Sequence, residues 1–183
     1  MIVIRDGEDV PQGARGGVFA IGNFDGVHRG HKALISRAVA EARETGRPAG
    51  VIVFEPHPRE FFHPEEPHFR LTPLAEKLRL LEQLGLDLVV VLEFNREFAS
   101  RTAASFIEDI LVGWLGVSHV VIGYDFFFGQ KRAGTPETMQ LAGQEAGFCT
   151  TIVAQQAEDG EVFSSTAIRL HLAQGDVAGA ALQ

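Results

Sequence analysis

Two short segments hold the residues best able to handle phosphate. GNFDGVHRGH (22–31) places His28 and His31 three apart with a glycine between them, where a helical pattern begins, and Gly22, Gly26 and Gly30 let the backbone turn tightly against a ligand. The N–H groups without partners at such a helix start favour an anion. FSSTAIR (163–169) sets Ser165 and Thr166 at a second helix start, with Arg169 four residues after Ser165 and so on the same face. Hydroxyls, N–H groups and a guanidinium together make a phosphate clamp; the plainer reading is an N-cap with a solvated arginine. Neither GxGxxG nor GxxxxGK[ST] occurs, which excludes a dinucleotide fingerprint and a P-loop. The rival for the two histidines is a zinc pair, yet no Glu follows His28 in the HExxH manner and no clear third ligand is supplied.

Two further segments are rich in rings. Fourteen of the chain's sixteen aromatic residues are Phe, so nearly all of its ring surface lacks a polar handle. EPHPREFF (55–62), preceded by Phe54, carries Pro56 and Pro58, which stiffen the chain, with Phe54 and Phe62 available to stack on a flat heteroaromatic ring. GYDFFFGQKRAG (123–134) joins Phe126, Phe127 and Phe128 to Lys131 and Arg132 between glycines, a loop able to close over a ligand. Asp25 and Asp125 suit turn caps as well as a metal or ribose contact. Phe19, Phe106 and Phe148, inside periodic segments, read as core, and so does the single cysteine, Cys149.

These segments need a frame. Apolar, β-branched runs at Val18–Ile21, Val51–Phe54, Leu88–Leu92, Val120–Gly123 and Thr150–Val153 alternate with helical spacing over His31–Thr45, Pro73–Leu84, Thr102–Trp114 and Pro136–Ala146. A last helix starts near Ser165, with Ile168 and Leu172 inward, and a short one covers Val177–Leu182. Thr72-Pro73 and Thr135-Pro136 read as N-cap followed by first helical residue. The expected class is α/β, with five parallel strands covered on both faces. Ligands of such sheets bind beyond the carboxyl ends of the strands, and all four unusual segments fall there.

Composition narrows the partners. The 183 residues are 45% hydrophobic and 22% charged, enough for one core. A net charge of −8 argues against holding nucleic acid by phosphate neutralisation. No apolar run reaches the ~18 residues of a membrane span, and MIVIRDGEDV has no basic region ahead of an apolar stretch. One cysteine excludes an internal disulfide. A cytoplasmic protein acting on small molecules, without nucleic acid or membrane, is expected; oligomeric state is not legible.

Taken together, GNFDGVHRGH, FEPHPREFF, RLTPLAEKL, GYDFFFGQKRAG and FSSTAIR resemble the adenylyltransferase module of the bacterial bifunctional riboflavin kinase/FMN adenylyltransferase family, also called FAD synthetase. The resemblance implies a Rossmann-like nucleotidyltransferase fold that joins FMN to the AMP of ATP, giving FAD and pyrophosphate, with Mg²⁺ accompanying the ATP. It implies that Gly22, Asn23, Phe24, His28, His31, Ser165, Thr166 and Arg169 hold ATP, with His28, His31 and Arg169 catalytic. Phe54, Pro56, His57, Pro58, Phe62 and Phe128 would line the flavin site, and Asp125 and Arg132 would organise the loop around it. Ala167 and Tyr124 depart from the family's usual basic and acidic residues. Members usually continue into a riboflavin kinase module, so the expectation for residues 1–183 is a single adenylyltransferase domain with that module absent. Two alternatives stand beside it: an adenylyl- or cytidylyltransferase for another phosphorylated cofactor precursor, and a flavin- or nucleotide-binding module without catalysis.

Overall fold

In the computed structural model, which describes residues 1–66, 69–158 and 161–183, alternate side chains of each central strand feed two separate core layers. The strands are β1 (Ile2–Arg5), β2 (Val18–Ile21), β3 (Ala49–Glu55), β4 (Leu88–Glu93), β5 (His119–Gly123) and β6 (Cys149–Val153), all parallel, in the order β1-β4-β3-β2-β5-β6. Small residues of one face, Val18, Ala20, Val51, Val53 and Val89, meet α1 (Arg29–Thr45) and α3 (Leu74–Glu82), where Ala38 and Ala42 allow close approach. The larger Phe19, Ile21, Ile52, Leu92 and Ile122 fill the opposite face, against the helical segment 103–114 and α6 (Pro136–Ala146). The chain leaves β2 toward β3 and β4 on one side, while β5 and β6 lie on the other. The crevice of this doubly wound sheet therefore opens between the ends of β2 and β5.

The sheet has six strands where five are expected. β1 is four residues long and lies at the edge, with only Ile4 buried, too little apolar pattern to stand out. Two further strands of two residues each, β7 (Ala157–Glu158) and β8 (Glu161–Val162), pair antiparallel and are likewise additional. Pro58–Phe62, read as stiffened loop, forms a short helix, α2, after a cis Glu55–Pro56 peptide. Between β4 and β5 come α4 (Arg96–Ala99) and α5 (Ala103–Ser105), the latter continuing as a π-helix over Phe106–Trp114. Thr102 caps it, accepting from the N–H of Ser105 at 3.0 Å. Thr135 caps α6 as expected. Thr72 does not cap α3, because its hydroxyl and N–H are taken by the loop after β2. The chain ends in α7 (Ser165–Ala173), with Ser164 as its N-cap, and α8 (Val177–Leu182). Phe19, Phe106 and Phe148 are buried. Cys149 is exposed, correcting its reading as core, because β6 is an edge strand.

Candidate active site

The loop between β2 and α1 is shaped by contacts from two distant segments. Asp25, buried, accepts the N–H groups of Leu71 (3.1 Å) and Thr72 (2.9 Å) and the Thr72 hydroxyl (3.2 Å), and is ion-paired with Arg169. Burial would raise its carboxyl, but the N–H groups of Thr72 and Leu71 and the Arg169 charge outweigh it and hold the group below its ordinary value. Ser165 Oγ donates to the Asp25 carbonyl at 2.7 Å, and Arg169 Nε donates to the carbonyl of Phe69 at 2.8 Å. Gly26 takes φ +84°, a conformation that favours glycine, and a Cβ there would also press on the Leu71 side chain, 2.7 Å away. Phe24 and Val27 also take positive φ, of 48° and 43°, a strained form for such residues that the surrounding knot imposes.

That knot delivers the two imidazoles. His28 is the N-cap of α1 and its Nδ1 accepts the His31 N–H at 3.4 Å, so a neutral His28 carries its proton on Nε2. The rings stack with centroids 3.6 Å apart, and Phe24 stands edge-on to His31 at 5.2 Å. Burial pushes His28 down to about 4, against the opposing pull of Asp125 and Asp25. Burial, then His28, then Lys77 hold His31 well below its ordinary value. At neutral pH both rings are uncharged, suited to donating hydrogen bonds and not to forming a salt bridge.

His31 and Asn23 each leave an atom buried with no partner among the described residues: His31 Nδ1 and Asn23 Oδ1. Both residues line a cleft of about 1270 Å³ that opens between the ends of β2 and β5. This exceeds the ~300–1000 Å³ of a typical single-ligand site, leaving room for more than one substrate. Away from the histidines its wall is a chain of ring contacts. Phe62 meets Phe94 at 5.6 Å, Phe94 meets Phe54 and Phe98, and Phe98 leads through Phe106 to Phe128 and Phe126.

Of the residues singled out from the sequence, Gly22, Asn23, Phe24, His31, Phe54, His57, Pro58, Phe62, Asp125, Phe128 and Arg132 line this cleft. Phe54 and Phe128 are buried wall, whereas Phe62 is 57% exposed and offers its ring to the opening. Arg132 rests its guanidinium 5.0 Å from the ring centre of Phe127. His28, Pro56, Ser165, Thr166 and Arg169 stand outside the cleft lining. His28 is stacked on His31, while Ser165 and Arg169 hold the loop through Asp25. Thr166 is exposed on the first turn of α7. Gln183 folds back over this corner, its carbonyl accepting the Arg29 N–H at 2.7 Å.

Sequence reasoning missed Phe94, Arg96, Phe98 and Arg101, which follow β4 and complete the cleft. The rule that ligands sit beyond strand ends applied to Leu88–Leu92 as well and would have found them. Among the described residues, no group of three or more His, Cys, Asp or Glu is placed to hold a metal ion, and no helix is long and apolar enough to cross a membrane.

Comparison with known proteins bears on this geometry. A family model described as FAD synthetase matches residues 10–167. The chain is 44% identical over 179 residues to the bifunctional riboflavin kinase/FMN adenylyltransferase of Escherichia coli (strain K12), covering 97% of this chain and 57% of that protein. The proteins of that name from Pseudomonas fluorescens and Bacillus subtilis (strain 168) are 47% and 39% identical, over 88% and 87% of this chain and 52% and 50% of theirs. The chain thus spans little more than half the length of these relatives. Among solved structures, one titled a macrolide-efflux protein from Streptococcus pneumoniae superposes with a TM-score of 0.84 at 27% identity, covering 98% of this chain and 59% of that one. A pantothenate synthetase from Thermus thermophilus, with a TM-score of 0.56, 20% identity, and coverage of 98% and 79%, shares the fold.

Proposed function

This chain belongs to the FAD synthetase family, and from that premise we propose that it transfers the adenylyl group of ATP to FMN, releasing FAD and pyrophosphate. The observation that carries the reading is the single cleft. It runs from Asn23 and His31, each with an unpartnered buried polar atom, to a wall of phenylalanines suited to a flat ring system.

The chemistry asks little of a general base. A phosphate monoester has its second pKa near ~6, so the FMN phosphate reaches neutral pH with its nucleophilic oxygen already deprotonated. That oxygen attacks the α-phosphorus, the new P–O bond forms, and the bond from the α-phosphorus to the bridging oxygen of pyrophosphate breaks. The chain supplies alignment of the reacting groups and donors for the charge that develops. His31, uncharged, donates toward the α-phosphate with the His28 ring stacked against it, and Gly22, Asn23 and Phe24 shape the adenylyl side. Ser165 and Arg169 act by fixing this loop through Asp25, and Thr166 is the group of the α7 start open to the nucleotide. Phe54, His57, Pro58, Phe62 and Phe128 form the flavin side, with Asp125 and Arg132 in the loop over it and Pro56 just ahead of His57, the N-cap of α2.

Mg²⁺ enters this reading on the triphosphate, whose charge it offsets. The Asp25 carboxylate is committed to Arg169 and Thr72, and no other cluster among the described residues offers a dedicated cage. The test is incubation with ATP, Mg²⁺ and FMN, followed by chromatography. FAD and pyrophosphate in equal amounts support the reading, and flavin left as FMN rejects it.

A further inference from the structure

α2 borders the cleft without a core of its own. Its five residues, Pro58–Phe62, are too few to hold a helix by themselves, and none of them is buried. Yet Pro58, Phe61 and Phe62, with the N-cap His57, all line the cleft. Two kinds of contact keep the helix in place. The rings of Phe61 and Phe62 meet Phe94 at 5.5 and 5.6 Å. Glu60 is gripped by Arg70, whose Nε and Nη2 donate to its two carboxylate oxygens while Nη1 donates to Glu55 at the end of β3. Two parallel bonds to one carboxylate fix direction as well as distance.

Arg70 is itself held on both sides. The carbonyl of Phe69, before it, accepts from Arg169 Nε at 2.8 Å, and the N–H groups of Leu71 and Thr72, after it, donate to Asp25 at 3.1 and 2.9 Å. The backbone around Arg70 is therefore part of the junction that shapes the histidine loop. Neither Arg70 nor Glu60 lines the cleft. The guanidinium reaches from that junction to α2, so one side chain relates the place of the helix to that of the loop.

We propose that Arg70 is a positioning residue for the flavin side: through Glu60 it holds α2, and with it Phe62, at a fixed place relative to the loop that carries His31. The hold of Arg70 on α2 stands on the contacts alone; that α2 receives flavin rests on the FMN reading above. Arg70, outside the cleft, takes no part in making or breaking bonds.

The test uses the full chain with Arg70→Met, Glu60→Gln and the two combined. Hydrogen exchange of the α2 amides in substrate-free protein reads the hold, and titrations with FMN, by fluorescence, and with ATP, by calorimetry, read its consequence. Arg70→Met should speed exchange in α2 and leave that in α1 unchanged. It should weaken FMN binding about ten-fold, the scale of one charge-assisted contact, with ATP affinity within about two-fold. A role in general stability would not separate the two substrates. Because both substitutions break one contact, the double variant should bind FMN no worse than Arg70→Met does. If Arg70→Met does not fold, Glu60→Gln is read in its place. Where the unsubstituted chain binds FMN, a folded variant with unchanged α2 exchange or unchanged FMN affinity overturns the proposal, as does a double variant whose losses multiply or an ATP affinity that falls as far as that for FMN. Where the unsubstituted chain does not bind FMN, faster α2 exchange in Arg70→Met upholds the hold on α2 and removes only the flavin reading, and unchanged exchange overturns both.

Discussion

The guanidinium of Arg169 closes on the carboxylate of Asp25, 144 residues earlier in the chain, and thereby ties the start of α7 to the loop that holds both histidines. Thr72 and Leu71 complete the junction from a third segment. Three stretches that look separate in the sequence are one piece of architecture, and the position of His28 and His31 depends on all of them.

Breaking that pair from either side should therefore cost stability as well as rate. Arg169→Gln leaves the buried Asp25 carboxylate without its counter-ion, worth about 3 kcal/mol, whereas Asp25→Asn leaves a half-buried guanidinium that keeps the Phe69 carbonyl and should cost less. The double variant should lose less than the sum by more than ~1 kcal/mol. Urea unfolding of the two single variants and the double variant measures this; strict additivity would show that the pair contributes nothing to holding the loop.

His31→Ala should lower kcat by roughly 10²–10³, the scale for losing one transition-state donor, while FMN affinity changes little. Steady-state kinetics at saturating ATP checks this. A variant that keeps most of its kcat would remove His31 from the chemistry.

Exposure separates the phenylalanines by role. Phe62 presents its ring to the cleft, so Phe62→Ala should weaken FMN binding by about 1 kcal/mol and leave unfolding almost unchanged. Phe128 is buried against Phe106 and Phe126, so Phe128→Ala should cost about 3 kcal/mol of stability as well. Flavin fluorescence titration and thermal melts of the two variants separate the effects; a loss of ATP affinity with FMN affinity intact would place the rings at the wrong substrate.

The buried histidines predict acid sensitivity of a definite sign. His28 has a value of about 4 in the fold against 6.5 ordinarily, so below pH 6.5 the unfolded chain takes up the proton first. Stability is then lost as pH falls from 6.5 toward 4, by about 3 kcal/mol for this group. His28→Asn keeps a capping acceptor for α1 but cannot titrate, so the slope of stability against pH in that window should flatten. His31, shifted the same way, would leave part of the slope. Urea midpoints from pH 7 to 4 test it, and equal slopes would exclude His28 as the titrating group.

β2 to β5 were legible because buried parallel strands are continuous apolar runs, β6 through its β-branched residues although it lies at the edge, and α1 and α6 because their caps and periodicity agree. β1 was not, since an edge strand of four residues shows one buried position. Thr72 looked like a helix cap because the pattern Thr-Pro is local, whereas its real partners, Asp25 and Gly26, lie 47 and 46 residues away. Phe94 escaped notice for a similar reason. It has no glycine or histidine beside it to mark a site, yet its contacts with Phe54, Phe61, Phe62 and Phe98 make it the centre of the aromatic wall. Lys77 reads as one polar residue on an amphipathic helix until burial places it on the apolar face.

The central claim is that one cleft joins FMN to the adenylyl group of ATP, and isotope placement tests it most directly. With ATP labelled at the α-phosphorus, Mg²⁺ and FMN, the label should appear in FAD, while ATP labelled at the γ-phosphorus should yield labelled pyrophosphate. Riboflavin, which lacks the phosphate nucleophile, should give no labelled dinucleotide. An α-label that stays out of the flavin product with FMN present, or enters a dinucleotide with riboflavin, would contradict the account.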